Sequence, residues 1–187
     1  KRSSLMLKYL YLLIFFFLIS NSNANNKENI INNLKNTLNV NFEFEQNNNK
    51  KIEKGKCIVK YPKQIFCEYE GYNNKILVSN GKSLVIKTKV SYFLFPLKRT
   101  PLDLILDKNF LIDKIYSLEE KIIDETFISF SINENDNEII IFFDNQTFDL
   151  IGWQTKDLYQ NSNITILSSI KKNEIIKKNI FKLPIQN

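Results

Sequence analysis

Histidine is absent from this sequence of 187 residues. Its absence removes the commonest general base, the commonest protein ligand of zinc, and every Ser-His or Cys-His catalytic pair. The carboxylates that remain form no recognisable catalytic motif and are typical of a solvated surface. The sequence therefore predicts a protein that is not an enzyme and that uses no cofactor.

Concentrated positive charge is also missing. The chain has 26 basic and 20 acidic residues, a formal charge of +6. Three of the 26 basic residues (Lys1, Arg2 and Lys8) and none of the 20 acidic residues precede residue 25, which leaves 23 against 20, or +3, for the remainder. These charges are mixed along the chain. Nucleic acid needs a clustered basic surface, so we do not expect it as a partner.

A long uninterrupted apolar run occurs once, at residues 9–19 (YLYLLIFFFLI). Basic residues precede the run and small polar residues follow it, with Ser22 and Ala24 at the −3 and −1 positions of a cleavage site. This pattern is typical of a secretory signal peptide, and the run is shorter than the about 20 residues that a membrane span needs. We predict a signal peptide at 1–24 that is cleaved after Ala24, with Met6 as a candidate start. An uncleaved N-terminal anchor is the alternative.

The mature chain, residues 25–187, is then expected to be one exported domain. Its two cysteines, Cys57 and Cys67, are an even pair, which in an exported protein suggests a disulfide. Their surroundings predict a hairpin with strands at 56–60 and 64–69, which places the cysteines opposite each other within disulfide distance. Two buried free thiols are the alternative.

The N-terminal half predicts a helix followed by strands. Apolar residues of the helix at 26–38 recur along one side: Ile30, Ile31, Leu34 and Leu38. Residues 40–46 alternate between apolar and polar, as in a half-buried strand. Asn80-Gly81 is a strong hairpin signal between strands at 75–79 and 82–87. Both faces of this hairpin are apolar, which favours a sheet that is covered on both sides.

The middle of the chain predicts short helices. Thr100 is the expected N-cap of the first, with Pro101 at its first position and a stripe made of Leu102, Ile105 and Leu106. A second short helix is expected at 108–117. Strands follow at 126–132, 138–143, 148–156, 163–170 and 180–183.

This order predicts a mainly β protein in which one curved antiparallel sheet carries a few short helices. The helices must bury their apolar stripes on the concave face of the sheet. The apolar layer between them is either a closed core or a layer that opens for a hydrophobic ligand. The pattern leaves both possibilities open.

Five segments of the chain resemble the outer-membrane lipoprotein carrier family, LolA, in the family's order. They are Phe42-Glu43-Phe44-Glu45-Gln46, residues 55–62 (GKCIVKYP) with Phe66 and Tyr69, residues 77–84 (LVSNGKSL), Pro96-Leu97 with residues 100–102 (TPL), and residues 150–153 (LIGW) with Asp157, Thr165, Leu167 and residues 181–184.

The resemblance implies an unclosed β-barrel (a half-barrel) covered by a helical lid. It implies a monomeric periplasmic chaperone for the acyl chains of outer-membrane lipoproteins. Its partners would be an inner-membrane ABC-type release complex and, if present, an outer-membrane receptor. We assign the acyl-chain cavity and lid to Phe42, Phe44, Val59, Tyr61, Tyr69, Leu102, Ile105 and Leu106.

One position departs from the family pattern. Family members have an arginine before the hairpin proline, and that arginine ties the lid shut. Here the position is Tyr61, which can donate one hydrogen bond but cannot form the charged fork of arginine. The latch of this chain must therefore differ.

Other binding functions are alternatives to lipoprotein transport. A carrier of another lipid, such as a glycolipid, fits the same pattern. An envelope-stress regulatory module on a half-barrel would normally carry a further domain. The receptor of the same shape would need a cysteine directly after the signal peptide, where Asn25 stands.

We predict that the exported protein begins at Asn25, because Ser22-Asn23-Ala24 is the small-residue site that follows the apolar run. N-terminal sequencing of protein recovered from the periplasm measures this directly. A mature protein that retains residues 9–19 would contradict the prediction.

Overall fold

The computed structural model describes residues 26–48, 51–134, 137–156 and 161–186. The predicted signal peptide and its cleavage site lie outside these residues, as does Asp157. Within the described part of the chain, no helix has the length and hydropathy required to cross a bilayer.

The described residues form short helices and one sheet. The helices are α1 (Asn26–Asn36), α2 (Leu102–Ile105) and α3 (Lys108–Ser117), with a 3-10 turn at Leu97–Arg99. The strands are β1 (Asn39–Asn47), β2 (Ile52–Lys60), β3 (Gln64–Tyr69), β4 (Ile76–Asn80), β5 (Ser83–Lys87), β6 (Tyr92–Pro96), β7 (Lys121–Ile123), β8 (Phe127–Glu134), β9 (Asn137–Asp144), β10 (Leu150–Lys156) and β11 (Ser162–Lys172).

All eleven strands belong to one sheet in the order β6-β5-β4-β3-β2-β1-β11-β10-β9-β8-β7. Each pairing is antiparallel, including the one between β1 and β11 that joins the two halves. The edges are β6 and β7, which do not pair with each other, so the sheet is not closed. The prediction of a single curved antiparallel sheet forming an unclosed barrel is confirmed.

The chain crosses from one edge of the sheet to the other through α2 and α3. Buried residues of these helices and of α1 join the inward-facing strand residues in one apolar core. The helical contribution to this core consists of Ile30, Ile31, Leu34, Leu104, Ile105, Leu106, Leu111, Ile112 and Ile115. The short helices therefore bury their stripes on the sheet, as expected.

The first helix is shorter than predicted. It ends at Asn36, and Leu38 is 65% exposed instead of completing the apolar stripe. The backbone N–H of Leu38 donates to Asn173 Oδ1 at 2.7 Å, and its carbonyl accepts from the N–H of Tyr61 at 3.1 Å. These tertiary hydrogen bonds draw the residue out of helical geometry.

Thr100 was predicted to cap the N-terminus of α2, and this prediction is wrong. Pro101 occupies the cap position, and no side chain caps the helix. The Thr100 hydroxyl instead donates to Leu97 O at 2.8 Å, which closes the preceding 3-10 turn. The second short helix is confirmed at Lys108–Ser117, where the Asp107 side chain accepts from the N–H of Phe110.

The predicted strand at 180–183 is wrong. Residues 178–181 form a turn, and Asn179 has a φ of 67°. The tail beyond it is fixed by backbone carbonyls: Lys87 Nζ donates to Ile185 O at 2.8 Å, and Tyr92 Oη donates to Pro184 O at 3.2 Å. Pro184 and Ile185 thus bond to side chains, and residues 180–183 pair with none of the described strands.

The sequence did not predict the two edge strands, β6 and β7.

The strand predicted at 148–156 begins later, at Leu150, because Phe148 has a φ of 58°. The Asn80-Gly81 hairpin is confirmed, with Gly81 at a φ of 95°. Leu77 and Val78 point to opposite faces of the sheet, and both side chains are buried. This part of the sheet is therefore covered on both faces, as expected.

Candidate functional site

A cavity of about 260 Å³ lies between the concave face of the sheet and α2. A smaller cavity of about 30 Å³ adjoins it on the side of the turn between β2 and β3. Phe42, Ile105 and Trp153 line both. All eight residues that the sequence assigned to a cavity and lid line at least one of these two cavities. The larger cavity is lined by Phe42, Phe44, Tyr69, Leu102 and Ile105. The smaller cavity is lined by Phe42, Val59, Tyr61, Ile105 and Leu106.

The alternation of β1 places its aromatic rings on the concave face. The Phe44 ring meets Tyr69 edge to face at 4.9 Å, and the Phe42 ring meets Trp153 in the same way at 6.5 Å. Gly55 lies opposite Phe44, and a Cβ at this position would approach Phe44 Cε1 to 2.8 Å and Glu68 O to 2.2 Å. Only glycine leaves room for the Phe44 ring over β2.

A disulfide joins Cys57 and Cys67 across β2 and β3. The cysteines are directly opposite each other, and their Cα atoms lie 4.1 Å apart. Both line the larger cavity, in one row with Phe42 on β1 and Leu77 on β4. The bridge therefore forms part of the cavity wall and fixes two of its strands together.

An ion-pair cluster holds α2 and α3 against the β2–β3 turn. Lys63 Nζ lies 3.0 Å from Asp103 Oδ1 and 3.3 Å from Asp107 Oδ2. The backbone N–H of Lys63 also donates to Leu106 O at 2.9 Å. Partial burial disfavours the ammonium, but its hydrogen bonds to the two carboxylates outweigh this cost and raise the pKa of Lys63. We call Lys63, Asp103 and Asp107 the lid latch.

Tyr61 does not act as the latch. Among the described residues its hydroxyl has no hydrogen-bond partner, and its ring faces the smaller cavity beside Ile105 and Leu106. Burial raises the pKa of Tyr61 to about 12. The hydrogen bond expected from this side chain is therefore not formed with the described residues. The ring packs partly buried against the apolar core, and Lys63, two residues later, makes the polar contacts.

The rim of the larger cavity is charged on one side. Glu53 accepts from Lys51 and from Lys75, each at 2.8 Å, and Lys75 Nζ lies 3.9 Å from the centre of the Tyr69 ring. Burial alone would raise the pKa of Glu53, but the two lysines outweigh it and lower this pKa. Burial, followed by the charge of Glu53, raises the pKa of the Tyr69 hydroxyl.

Several lining residues were missed by the sequence analysis. Trp153 was found in a resembling segment but received no role, although it lies on the same face of β10 as Thr155. The edge strand β6 adds Phe93 and Phe95, which share the face of the cavity residues Leu84 and Ile86. They are 52% and 40% exposed, so the apolar surface continues to the edge of the sheet.

Residues 33–184 match the family profile described as outer membrane lipoprotein carrier protein LolA. The chain belongs to this family. Its resemblance to the family, stated above from five segments, is thereby confirmed. Membership and the cavity together mark the protein as a carrier that binds lipids or lipoproteins. Members of the family are carrier or binding proteins and not enzymes.

Solved structures are similar to this chain at low sequence identity. An uncharacterized conserved protein from Thermus thermophilus has a TM-score of 0.51 at 6% identity, over 86% of this chain and 94% of that one. A LolA superfamily protein from Nitrosomonas europaea has a TM-score of 0.41 at 6% identity, over 79% and 90%. The Mycobacterium tuberculosis lipoprotein LppX has a TM-score of 0.47 at 13% identity, over 81% and 95%. No curated protein sequence matches the chain.

We predict that exported protein contains no free thiol, because Cys57 and Cys67 are bridged. Labelling with a thiol reagent under denaturing conditions without reductant should modify neither cysteine. The double change Cys57→Ser with Cys67→Ser should lower the free energy of unfolding by about 2–3 kcal/mol, since the bridge closes a short loop. Two labelled cysteines in folded, exported protein would contradict the prediction.

We predict that Lys63→Met loosens the lid. The change keeps the length of the side chain but leaves Asp103 and Asp107 without their cation, at a cost of about 1–2 kcal/mol, between the values for exposed and buried pairs. Fluorescence of a hydrophobic dye should rise, and the melting temperature should fall.

Two variants control this experiment. Lys56→Met removes an exposed ion pair with Glu43 and should leave dye fluorescence unchanged. Tyr61→Phe removes a hydroxyl that makes no hydrogen bond with the described residues and should also leave it unchanged. Equal dye fluorescence in Lys63→Met and the parent protein would show that the lysine does not hold the lid.

Proposed function

We propose that this protein is a periplasmic carrier that shields the acyl chains of lipoproteins on their way to the outer membrane. It takes them from an inner-membrane ABC-type release complex and delivers them to the outer membrane, through a receptor where one is present. The observation that carries the proposal is the apolar cavity between the concave sheet and a latched lid, in a chain of the LolA family.

The cavity suits a ligand that must later be released. Its wall is mostly aliphatic and aromatic, and apolar contact stabilises a buried acyl chain by about 0.8 kcal/mol per CH2 without directional bonds. Such contacts are replaced easily by those of a membrane or of a more apolar receptor. A carrier of this kind binds its cargo more weakly than the destination does.

The size of the cavity requires the lid to move. Sites for small ligands typically occupy about 300–1,000 Å³, and this cavity of about 260 Å³ lies below that range. Several acyl chains would therefore displace α2 from the sheet and take over its apolar contacts. The lid latch then opposes entry, and its strength sets the balance between the closed and loaded states.

Exposed aromatic residues on β6 offer a route into this cavity. Phe93 and Phe95 stack with their ring centres 6.3 Å apart on the face that leads to Leu84 and Ile86. An acyl chain that leaves another protein would keep apolar contact along this edge until it reaches the interior. The edge is thus the side at which we expect cargo to enter.

The experiment that tests the function is release of a lipoprotein from spheroplasts. Purified mature protein should bring an outer-membrane lipoprotein into the soluble fraction as a one-to-one complex, and depletion of ATP should prevent this. Leu102→Asp, which puts a charge in the cavity wall, should reduce the yield at least about tenfold, a loss of about 1.4 kcal/mol or more.

The matched control is Ile166→Asp, at a position that is 49% exposed on the other face of the sheet. It should release the lipoprotein as the parent does. No soluble complex with the parent protein would contradict the proposal. Mass spectrometry of ligand that co-purifies with the protein adds a second readout, in which a glycolipid without lipoprotein would favour transport of another lipid.

A further inference from the structure

The fold gathers positive charge at the β6 edge of the sheet. Residues 76–102, from β4 to the start of α2, contain no acidic residue and five basic ones: Lys82, Lys87, Lys89, Lys98 and Arg99. The C-terminal tail, which bonds to side chains of β5 and β6, adds three lysines and no acidic residue at 175–186. Outside these two segments, 15 of the 23 basic residues of 25–187 remain against all 20 acidic residues, or −5. The structure therefore assembles a basic edge that the sequence analysis did not expect.

Most of the cations next to β6 are not neutralised. Lys82, Lys89, Lys98 and Arg99 form no ion pair with the described residues, whereas eight other lysines there each have a carboxylate oxygen within 3.3 Å. The four lie at both ends of the strand. The N–H of Leu97 donates to the carbonyl of Lys82 at 2.9 Å, which places Lys82 near Lys98 and Arg99, and Lys89 lies in the turn that precedes β6.

Between these cations, the edge strand exposes apolar side chains. Phe93, Leu94 and Phe95 are each at least 40% exposed, and Val90 in the preceding turn is 92% exposed. Leu94 lies on the opposite face of the strand from its two neighbours, so the apolar surface continues around the edge of the sheet. We call Val90, Phe93, Leu94 and Phe95 the β6 rim. Contiguous exposed apolar surface of this kind marks a site of interaction with a protein or a membrane.

The charge and shape of the β6 rim limit what can cover it. A second copy of the chain would bring an equal set of cations to the contact, and basic residues at an edge strand oppose such pairing. A folded partner needs a continuous face to pack against, whereas the rim side chains point to both faces of the sheet and past the end of the strand. A fluid interface with negative charge can surround such a rim.

We propose that the β6 rim docks on the surface of an anionic phospholipid bilayer. The rim side chains enter the boundary between head groups and acyl chains, and the cations at both ends of β6 contact lipid phosphates. The outer backbone groups of β6 have no strand partner, so the strand stays at the level of the head groups, where water and phosphates satisfy them. The rim lies outside the cavity, and the inference therefore does not depend on the proposed function.

The opposite edge of the sheet favours the same orientation. Residues 118–157, which contain β7 to β10, hold ten acidic and two basic residues. A negative membrane surface repels this edge and attracts the β6 edge, and added salt weakens both effects. A docked molecule thus turns toward the membrane the side of the sheet that leads to Leu84 and Ile86 in the cavity wall.

Binding of the mature protein to vesicles tests the inference. Partition is measured by co-sedimentation with vesicles of phosphatidylcholine alone and with vesicles that contain about one third phosphatidylglycerol. It should be at least about tenfold higher into the anionic vesicles and should fall as salt is added. Lys98→Gln with Arg99→Gln should lower it at least about tenfold, because each basic residue near an anionic surface contributes roughly fivefold.

The matched control is Lys54→Gln with Lys56→Gln. It changes the net charge equally, at exposed positions on β2 whose lysines pair with Glu45 and Glu43. Partition of this variant should stay within about twofold of the parent value, because exposed charges remote from the contact are screened.

Two further variants test the apolar part of the contact. Val90→Ser with Leu94→Ser removes exposed apolar surface and should lower partition about tenfold. In a Phe95→Trp protein, a quencher attached to the lipid near its head group should quench the new tryptophan. The parent protein, in which Trp153 is buried, should be quenched far less.

Several outcomes would overturn the inference. They are equal partition into neutral and anionic vesicles, equal losses in the two double lysine and arginine variants, and unchanged partition after Val90→Ser with Leu94→Ser. Retention on heparin without partition into vesicles also overturns it and marks an acidic macromolecule as the partner. None of these results bears on release of lipoprotein from spheroplasts, so the inference and the proposed function can fail separately.

Discussion

The structure depends on one constraint: its sheet curves but does not close. The edge strands β6 and β7 remain apart, so the apolar concave face has no second sheet to cover it. The chain must also pass from β6 to β7, and it does so across this face as α2 and α3. These helices are too short to be stable alone in water. Their burial on the sheet therefore covers the face and stabilises the helices at once.

A lid of this kind is held by two interactions of different character. Apolar packing of Ile105 and Leu106 on the sheet is strong but non-directional, and an acyl chain can replace it. The contacts of Lys63 with Asp103 and Asp107 are directional, and an acyl chain cannot replace them. In the proposed carrier, the first interaction would allow exchange with cargo, while the second would hold the lid closed. Both meet at the β2–β3 turn, whose strands the disulfide joins.

The cavity divides its chemistry between its two ends. Near Tyr61 the wall is mostly apolar. At the other end the wall carries the polar side chains of Gln46, Thr155, Asn163 and Thr165.

Local patterns in the sequence determined much of the fold. The alternation around Phe42 and Phe44, the Asn80-Gly81 turn and the hairpin that carries Cys57 and Cys67 each specify strand pairing over a short distance. In each of them one register satisfies side chains and backbone together. Tertiary structure decided what depends on distant partners. Lys63 meets Asp103 forty residues later. The tail is held at Pro184 and Ile185 by side chains of β5 and β6. The polar side chains at one end of the larger cavity come from β1, β10 and β11. No local pattern encodes these contacts, because their energy arises only when the sheet brings remote segments together.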